Sequence, residues 1–220
     1  MQIPLIWVWG SCFRRDKGTV PVLGLSPPSK RGKDLRNLLG MILVLLMGWC
    51  TPSYAKVYYT KEDALKLAFP DASKIEKKTV FLDAVQKERI EELAKTKTES
   101  RVFNFHIGEK KEEVIGYALF GSHVVRTKPE VYIAVINTDG SLRFIEILAF
   151  YEPEEYLPAK RWFSQFKDKR LNDDLWLKRG ISAISGATMT ANGIIREVRK
   201  ALAIFKVAIL EEKNEVPDKR

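Results

Sequence analysis

The chain has 220 residues, 45% hydrophobic and 30% charged, which is a composition for a packed core and excludes a disordered tail. The formal charge of +9 is uneven: residues 1–55 hold seven Lys/Arg and two Asp/Glu, leaving 30 basic against 26 acidic residues beyond them. That mild excess, with Lys and Glu interleaved as in Lys87–Lys95, argues against a nucleic-acid partner.

Both cysteines, Cys12 and Cys50, lie in the leading segment. A chain shortened there has no thiol for a disulfide, an iron–sulfur cluster or a thioether-linked haem. The two histidines, His106 and His123, lack Cys or Asp/Glu spacing, so they make no metal motif and read as solvent-facing or as satisfying a sheet edge.

Lys30, Arg31, Lys33 and Arg36 precede an apolar run, Leu38–Trp49, of about 12 residues, short of the roughly 20 that cross a membrane. Ser53 and Ala55 then stand three residues and one residue before a cut that would leave Lys56 first. This layout predicts a secretory signal peptide within an N-terminal extension, residues 1–55. The mature protein is then expected in the periplasm or on the outer face of the cytoplasmic membrane. A retained anchor and a lipid anchor at Cys50 are the alternatives, the latter set against Trp49, which is large for such a site.

Residues 56–100 read as a helical N-terminal part. Thr60 followed by Glu62 and Asp63 opens one helix, which Pro70 ends, and Val85–Lys95 forms a second, exposed one. From Arg101 the apolar period becomes two. Strands are predicted at Val102–Ile107, Val114–Gly121, Val131–Asn137 and Leu142–Phe150, the last two joined by an Asp139-Gly140 turn. Glu152–Pro158 is a loop, Ala159–Lys169 a helix with Trp162, Phe163 and Phe166 at its spacing, and Asn172–Lys178 a connector or short strand. Ile194 through Ile209 mark a long amphipathic helix with Arg196, Arg199, Lys200 and Lys206 on a solvated face, and residues 211–220 a charged tail. The fold class predicted is α+β: a single domain with a curled antiparallel sheet flanked by helices, after an N-terminal signal segment.

Ahead of the last helix stands Ile181-Ser182-Ala183-Ile184-Ser185-Gly186-Ala187-Thr188-Met189-Thr190. Small residues here lead into a helix N-terminus, whose unpaired N–H groups and positive dipole end suit a phosphate. Ser185, Thr188 and Thr190 offer hydroxyls. On these grounds alone the segment is an anion site of low specificity, because many helices begin with Ser/Thr caps.

Ser185-Gly186-Ala187-Thr188-Met189-Thr190 resembles the flavinylation motif of the FMN-binding domain family. That family includes the C and G subunits of sodium-pumping and Rnf-type ion-translocating oxidoreductases and the flavin domain of NosR-like regulators. The resemblance runs through about residues 110–205, with Gly116-Tyr117 and Asp139-Gly140 in matching order, and Glu155–Pro158 is most similar to the NosR-like branch.

The resemblance implies FMN joined through its phosphate to Thr188, with Ser182, Ser185, Gly186, Ala187, Met189 and Thr190 around it. It also implies single-electron relay and does not imply substrate turnover; the residues themselves show no catalytic acid–base constellation. The partners implied are an FAD-dependent flavin transferase that uses Mg²⁺, redox proteins, and a membrane electron-transport complex. Two departures stand out. Ser182 occupies a position where the transferase commonly reads an Asp, and Glu152-Pro153-Glu154-Glu155 replaces the family's usual loop. The first supports an alternative, a non-catalytic sensory or accessory domain with loose flavin or none; a structural partner-binding module is the third reading. Trp162, Trp176 and Tyr117 are expected in core packing ahead of ring stacking. Glu152, Glu154 and Glu155 read equally as a pocket lining or a solvated loop.

Overall fold

The computed structural model describes residues 56–212, together with 37, 38, 40 and 41. Apart from those four residues, the predicted signal segment, 1–55, lies outside the described residues, as do residues 213–220 of the charged tail. Residues 56–212 belong to one compact unit.

The chain opens with β1 (Lys56–Val57) and α1 (Lys61–Ala68). The Thr60 hydroxyl accepts the Asp63 N–H at 3.2 Å, and Ala64 and Ala68 bury the inner face of α1. An unexpected strand follows, β2 (Lys74–Phe81). It eluded the pattern because it is an edge strand, exposed along nearly its whole length, so Lys74, Glu76, Lys77 and Lys78 mask any alternation. Helix α2 (Ala84–Ala94) starts from a capping box: Asp83 accepts the Gln86 N–H at 2.7 Å, and the Gln86 side chain accepts from Asp83 N–H at 3.1 Å. Its exposure was overestimated, since Ile90 and Ala94 are wholly buried.

Strands β3 (Val102–Lys110), β4 (Glu113–Val124), β5 (Pro129–Ile136) and β6 (Leu142–Phe150) match the four predicted runs. All six strands form one open antiparallel sheet in the order β1-β6-β5-β4-β3-β2. Strand β5 is central and covered on both faces, which explains its unbroken apolar run. One face packs on α1 through Ala118, Ile133, Val135 and Leu148. The other holds the larger core with the last helix, through Phe105, Leu119, Tyr132, Ile145 and Ile147.

β3 and β4 part company near their ends. Their pairing stops at Phe105–Leu119, while Val102–Asn104 still pair with β2 and Phe120–Val124 with β5. A cavity of about 1140 Å³ opens at this fork, between Phe103, Gly121, Ser122 and the 97–100 loop.

The predicted helix 159–169 is shorter than expected: α3 (Lys160–Phe163) runs into a 3₁₀ turn, Ser164–Phe166. Trp162 and Phe166 are buried against β6 and its neighbours, as their spacing required. Asn172–Lys178 forms turns, not a strand, touching Ile181 through one isolated bridge from Leu177. Helix α4 (Thr188–Phe205) then lies across the sheet and continues as a wider π-type turn over Lys206–Glu211.

The solvated basic face expected for α4 holds for Arg196 and Lys206 but not for Arg199, which is only 1% exposed. Its guanidinium donates to the carbonyls of Ala94 at 2.9 Å and Leu93 at 3.1 Å, and to that of Asn172 at 2.5 Å. It also lies 4.6 Å from the Trp176 ring centroid. The charge caps the carbonyl end of α2, where a cation is favoured.

Candidate functional site

The corner before α4 is set by its smallest residues. Gly186 has φ +83°, a left-handed conformation costly for any residue with a Cβ, and a Cβ built on it would meet nothing within 4 Å. The space beside it is therefore open. Ala187, the N-cap residue, is buried and offers no side-chain hydrogen bond. The first-turn N–H groups of α4 thus have no side-chain cap, unlike those of α1 and α2.

Thr188 is the first residue of the helix and is exposed. Its hydroxyl donates to the Ile184 carbonyl at 3.0 Å, which steers the oxygen back over the corner. Ser182, Ser185, Gly186 and Met189 are exposed beside it. Thr190 differs: it is buried, and its hydroxyl donates to the Tyr156 carbonyl at 2.6 Å. Of the predicted site residues, then, Thr188, Ser182, Ser185, Gly186 and Met189 share an open surface, Ala187 forms its floor, and Thr190 anchors it from behind.

The supporting residues were missed from sequence. Trp162 Nε1 donates to the Ser182 carbonyl at 2.9 Å, and Ser182 N–H donates to Gln165 Oε1 at 2.8 Å. These two bonds tie the motif's upstream arm to α3 and the 3₁₀ turn after it, and they account for Trp162 as packing. Tyr156, whose carbonyl receives Thr190, has Arg126 stacked 4.7 Å from its ring centroid. The signal for these contacts was present only as an aromatic spacing over 156–166, without a partner.

The acidic loop is not uniformly solvated. Glu152 is buried and accepts the N–H groups of Thr127 at 2.7 Å and Lys128 at 2.8 Å, which hold its carboxyl below the usual carboxylate range. It closes the β4–β5 turn. Glu154 is exposed and pairs with Lys56 at 2.6 Å and with the Tyr58 hydroxyl at 3.1 Å. Desolvation and then Glu154 push the Tyr58 hydroxyl up to about 12.

An exposed threonine oxygen, an uncapped helix N-terminus and open space over Gly186 form a cradle that fits a phosphate ester. Residues 126–203 match the family model of the FMN-binding domain, a span from the β4–β5 turn almost to the end of α4. The crystal structure of NqrC from Shewanella oneidensis is a similar solved structure, at 15% identity and TM-score 0.48, with 71% of this chain and 90% of that chain covered. No curated protein matches the chain. The segment that carries the Thr188 corner, residues 126–203, is therefore similar to the FMN-binding domain family.

Proposed function

We propose that this protein is an extracytoplasmic electron-transfer flavoprotein whose FMN is esterified through its phosphate to Thr188. The observation that carries the reading is the exposed Thr188 hydroxyl at an uncapped helix N-terminus, inside a segment that matches the FMN-binding domain. Bound FMN supplies electron transfer in one- or two-electron steps. The residues supply placement. Thr188 Oγ1 provides the ester oxygen, and the first-turn N–H groups of α4 and the helix dipole neutralise the phosphate. Ala187 and Gly186 leave room for it. The Thr190–Tyr156 and Trp162–Ser182 bonds keep the corner from yielding when the ester is made.

Export is supported by the leader layout at residues 30–55, and a flavin transferase and redox proteins are the partners this chemistry requires. Protein made beside an active transferase is expected to gain the mass of one FMN less one water, and to keep its fluorescence on a denaturing gel. Thr188→Ala should abolish both signals while leaving the melting temperature nearly unchanged, because the hydroxyl makes one exposed hydrogen bond. Bare Thr188 in native material would overturn the proposal.

A second reading, a sensory or accessory domain with loose flavin or none, is favoured by one observation. Ser182 carries no charge, and both its backbone groups are already bonded, to Trp162 of α3 and to Gln165 in the turn after it. Flavin that separates on denaturation, or that is never present, selects that reading. N-terminal sequencing of material from the periplasmic fraction tests the cut before Lys56.

A further inference from the structure

The histidines do not face solvent, one of the two settings expected for them. His106 lies under α1, 6% exposed, with its ring edge-on to Phe120 at 5.1 Å. His123 lies on the opposite face, beneath α4, where its Nε2 stands 2.3 Å from the point a Cβ on Gly193 would occupy. Only a glycine lets the helix close over this ring.

Across the sheet His123 is the register partner of Glu130, and its Nε2 is 3.8 Å from Glu130 Oε1, too far for a direct hydrogen bond. Glu130 is wholly buried. Both its carboxyl oxygens, and both ring nitrogens of His123, are buried without a hydrogen-bond partner.

The neighbours cannot relieve them. The groups facing the pair are Tyr132 from β5 and Glu197 and Lys200 from α4, and these satisfy one another. The Tyr132 hydroxyl donates to Glu197 Oε2 at 2.7 Å, and Lys200 Nζ to Glu197 Oε1 at 2.7 Å. From β6 the register partner of Glu130 is Phe150, which is apolar. Among the described residues no three His, Cys, Asp or Glu side chains gather to hold a metal ion.

A buried carboxylate with no donor, beside a second carboxylate, is costly, and protonation removes that cost. A carboxylic acid also supplies the one thing the pair lacks, a donor facing an acceptor ring nitrogen. We propose that Glu130 and His123 form an interior proton site, with the proton on the Glu130 carboxyl at neutral pH, and that in alkaline solution, where this carboxyl is ionised, the site takes up a proton when a group anchored at the head of α4 is reduced. The anchor point is near, since Gly193, which lies over the His123 ring, is five residues beyond Thr188, about 8 Å along the helix axis.

Desolvation, and secondarily Glu197, push the Glu130 carboxyl up to about 8, while burial holds the His123 ring below its ordinary value. The first part of the proposal is independent of flavin; the second rests on the flavin reading above.

Infrared spectroscopy of protein made without a transferase tests the first part. A protonated carboxyl band is expected at pH 7, lost in Glu130→Gln, with the His123 ring neutral by nitrogen NMR at the same pH. An imidazolium at His123, or a band unchanged in Glu130→Gln, overturns it. For the second part, the midpoint potential of the flavinylated protein is followed against pH, with dithionite as reductant. Above pH about 8 it should fall more steeply in wild type than in Glu130→Gln. Equal slopes overturn the coupling. Absence of flavin sinks the function proposed above but leaves the infrared result standing.

Discussion

Arg199 shows how one side chain can bind two distant segments to its own helix. It is a buried cation whose partners are three backbone carbonyls and an aromatic face. Truncating it orphans those carbonyls, at about 1–3 kcal/mol for each buried group left unsatisfied. Arg199→Ala is therefore expected to lower stability by about 3–5 kcal/mol in urea titration. Arg199→Lys should recover less than half of that loss, because an ammonium cannot fork to three acceptors or stack on Trp176. A loss below about 1 kcal/mol for the alanine variant would show that the carbonyls find other donors. From sequence Arg199 was indistinguishable from its solvated neighbours. In a helix, charge alone does not reveal which residue faces a carbonyl terminus contributed from about a hundred positions away.

At the level of elements, the seating of α4 depends on close approach. Gly193 admits the His123 ring, so Gly193→Ala must displace either the ring or the helix. We expect a cost of about 1–3 kcal/mol by thermal melting, as for other overpacked sites. His123→Ala should remove most of that cost in the double variant. Additive losses would mean that something other than the ring resists the methyl group.

This is also where sequence reading was strong and where it failed. Strands β3 to β6 and α4 were legible because their apolar periods are long and their turn, Asp139-Gly140, is explicit. Edge strand β2 was not, since both its faces meet water. The motif residues were legible as a corner, but Thr190 and Ser182 turned out to act through Tyr156, Trp162 and Gln165. Such tertiary hydrogen bonds leave no periodic trace.

For the molecule as a whole, stability against pH should show two opposed limbs. The Glu130 carboxyl is raised in the folded state, so the folded chain binds more protons than the unfolded one between the usual carboxylate range and about 8. Stability falls as pH rises through that window. The carboxyls of Glu152, Asp139 and Asp173 are lowered, the first two mainly by hydrogen bonds from backbone and Ser141, the third by Lys95. Their contribution is present above the unfolded carboxylate range and is lost as pH falls below it. The rings of His106 and His123, held low by burial, add stability as pH rises to the ordinary imidazole range, so the net decline in melting temperature should be clearest above that range, towards about 8. Glu130→Gln should flatten the alkaline limb and leave the acid limb in place. An unchanged alkaline limb in that variant would remove Glu130 from the account.

The fork between β3 and β4 bears on how the fold breathes. Past Leu119, β4 has lost one neighbour, and the tips of β2 and β3 form a two-stranded finger with nothing paired on its inner side. Such a finger can fray without disturbing β5 and β6. In hydrogen–deuterium exchange, backbone amides in the tips, from Thr79 to Phe81 and Val102 to Asn104, should lose protection well before those of Ile133 to Ile136. Protease nicks under native conditions should begin in the 97–101 connection, leaving the segment that bears Thr188 whole.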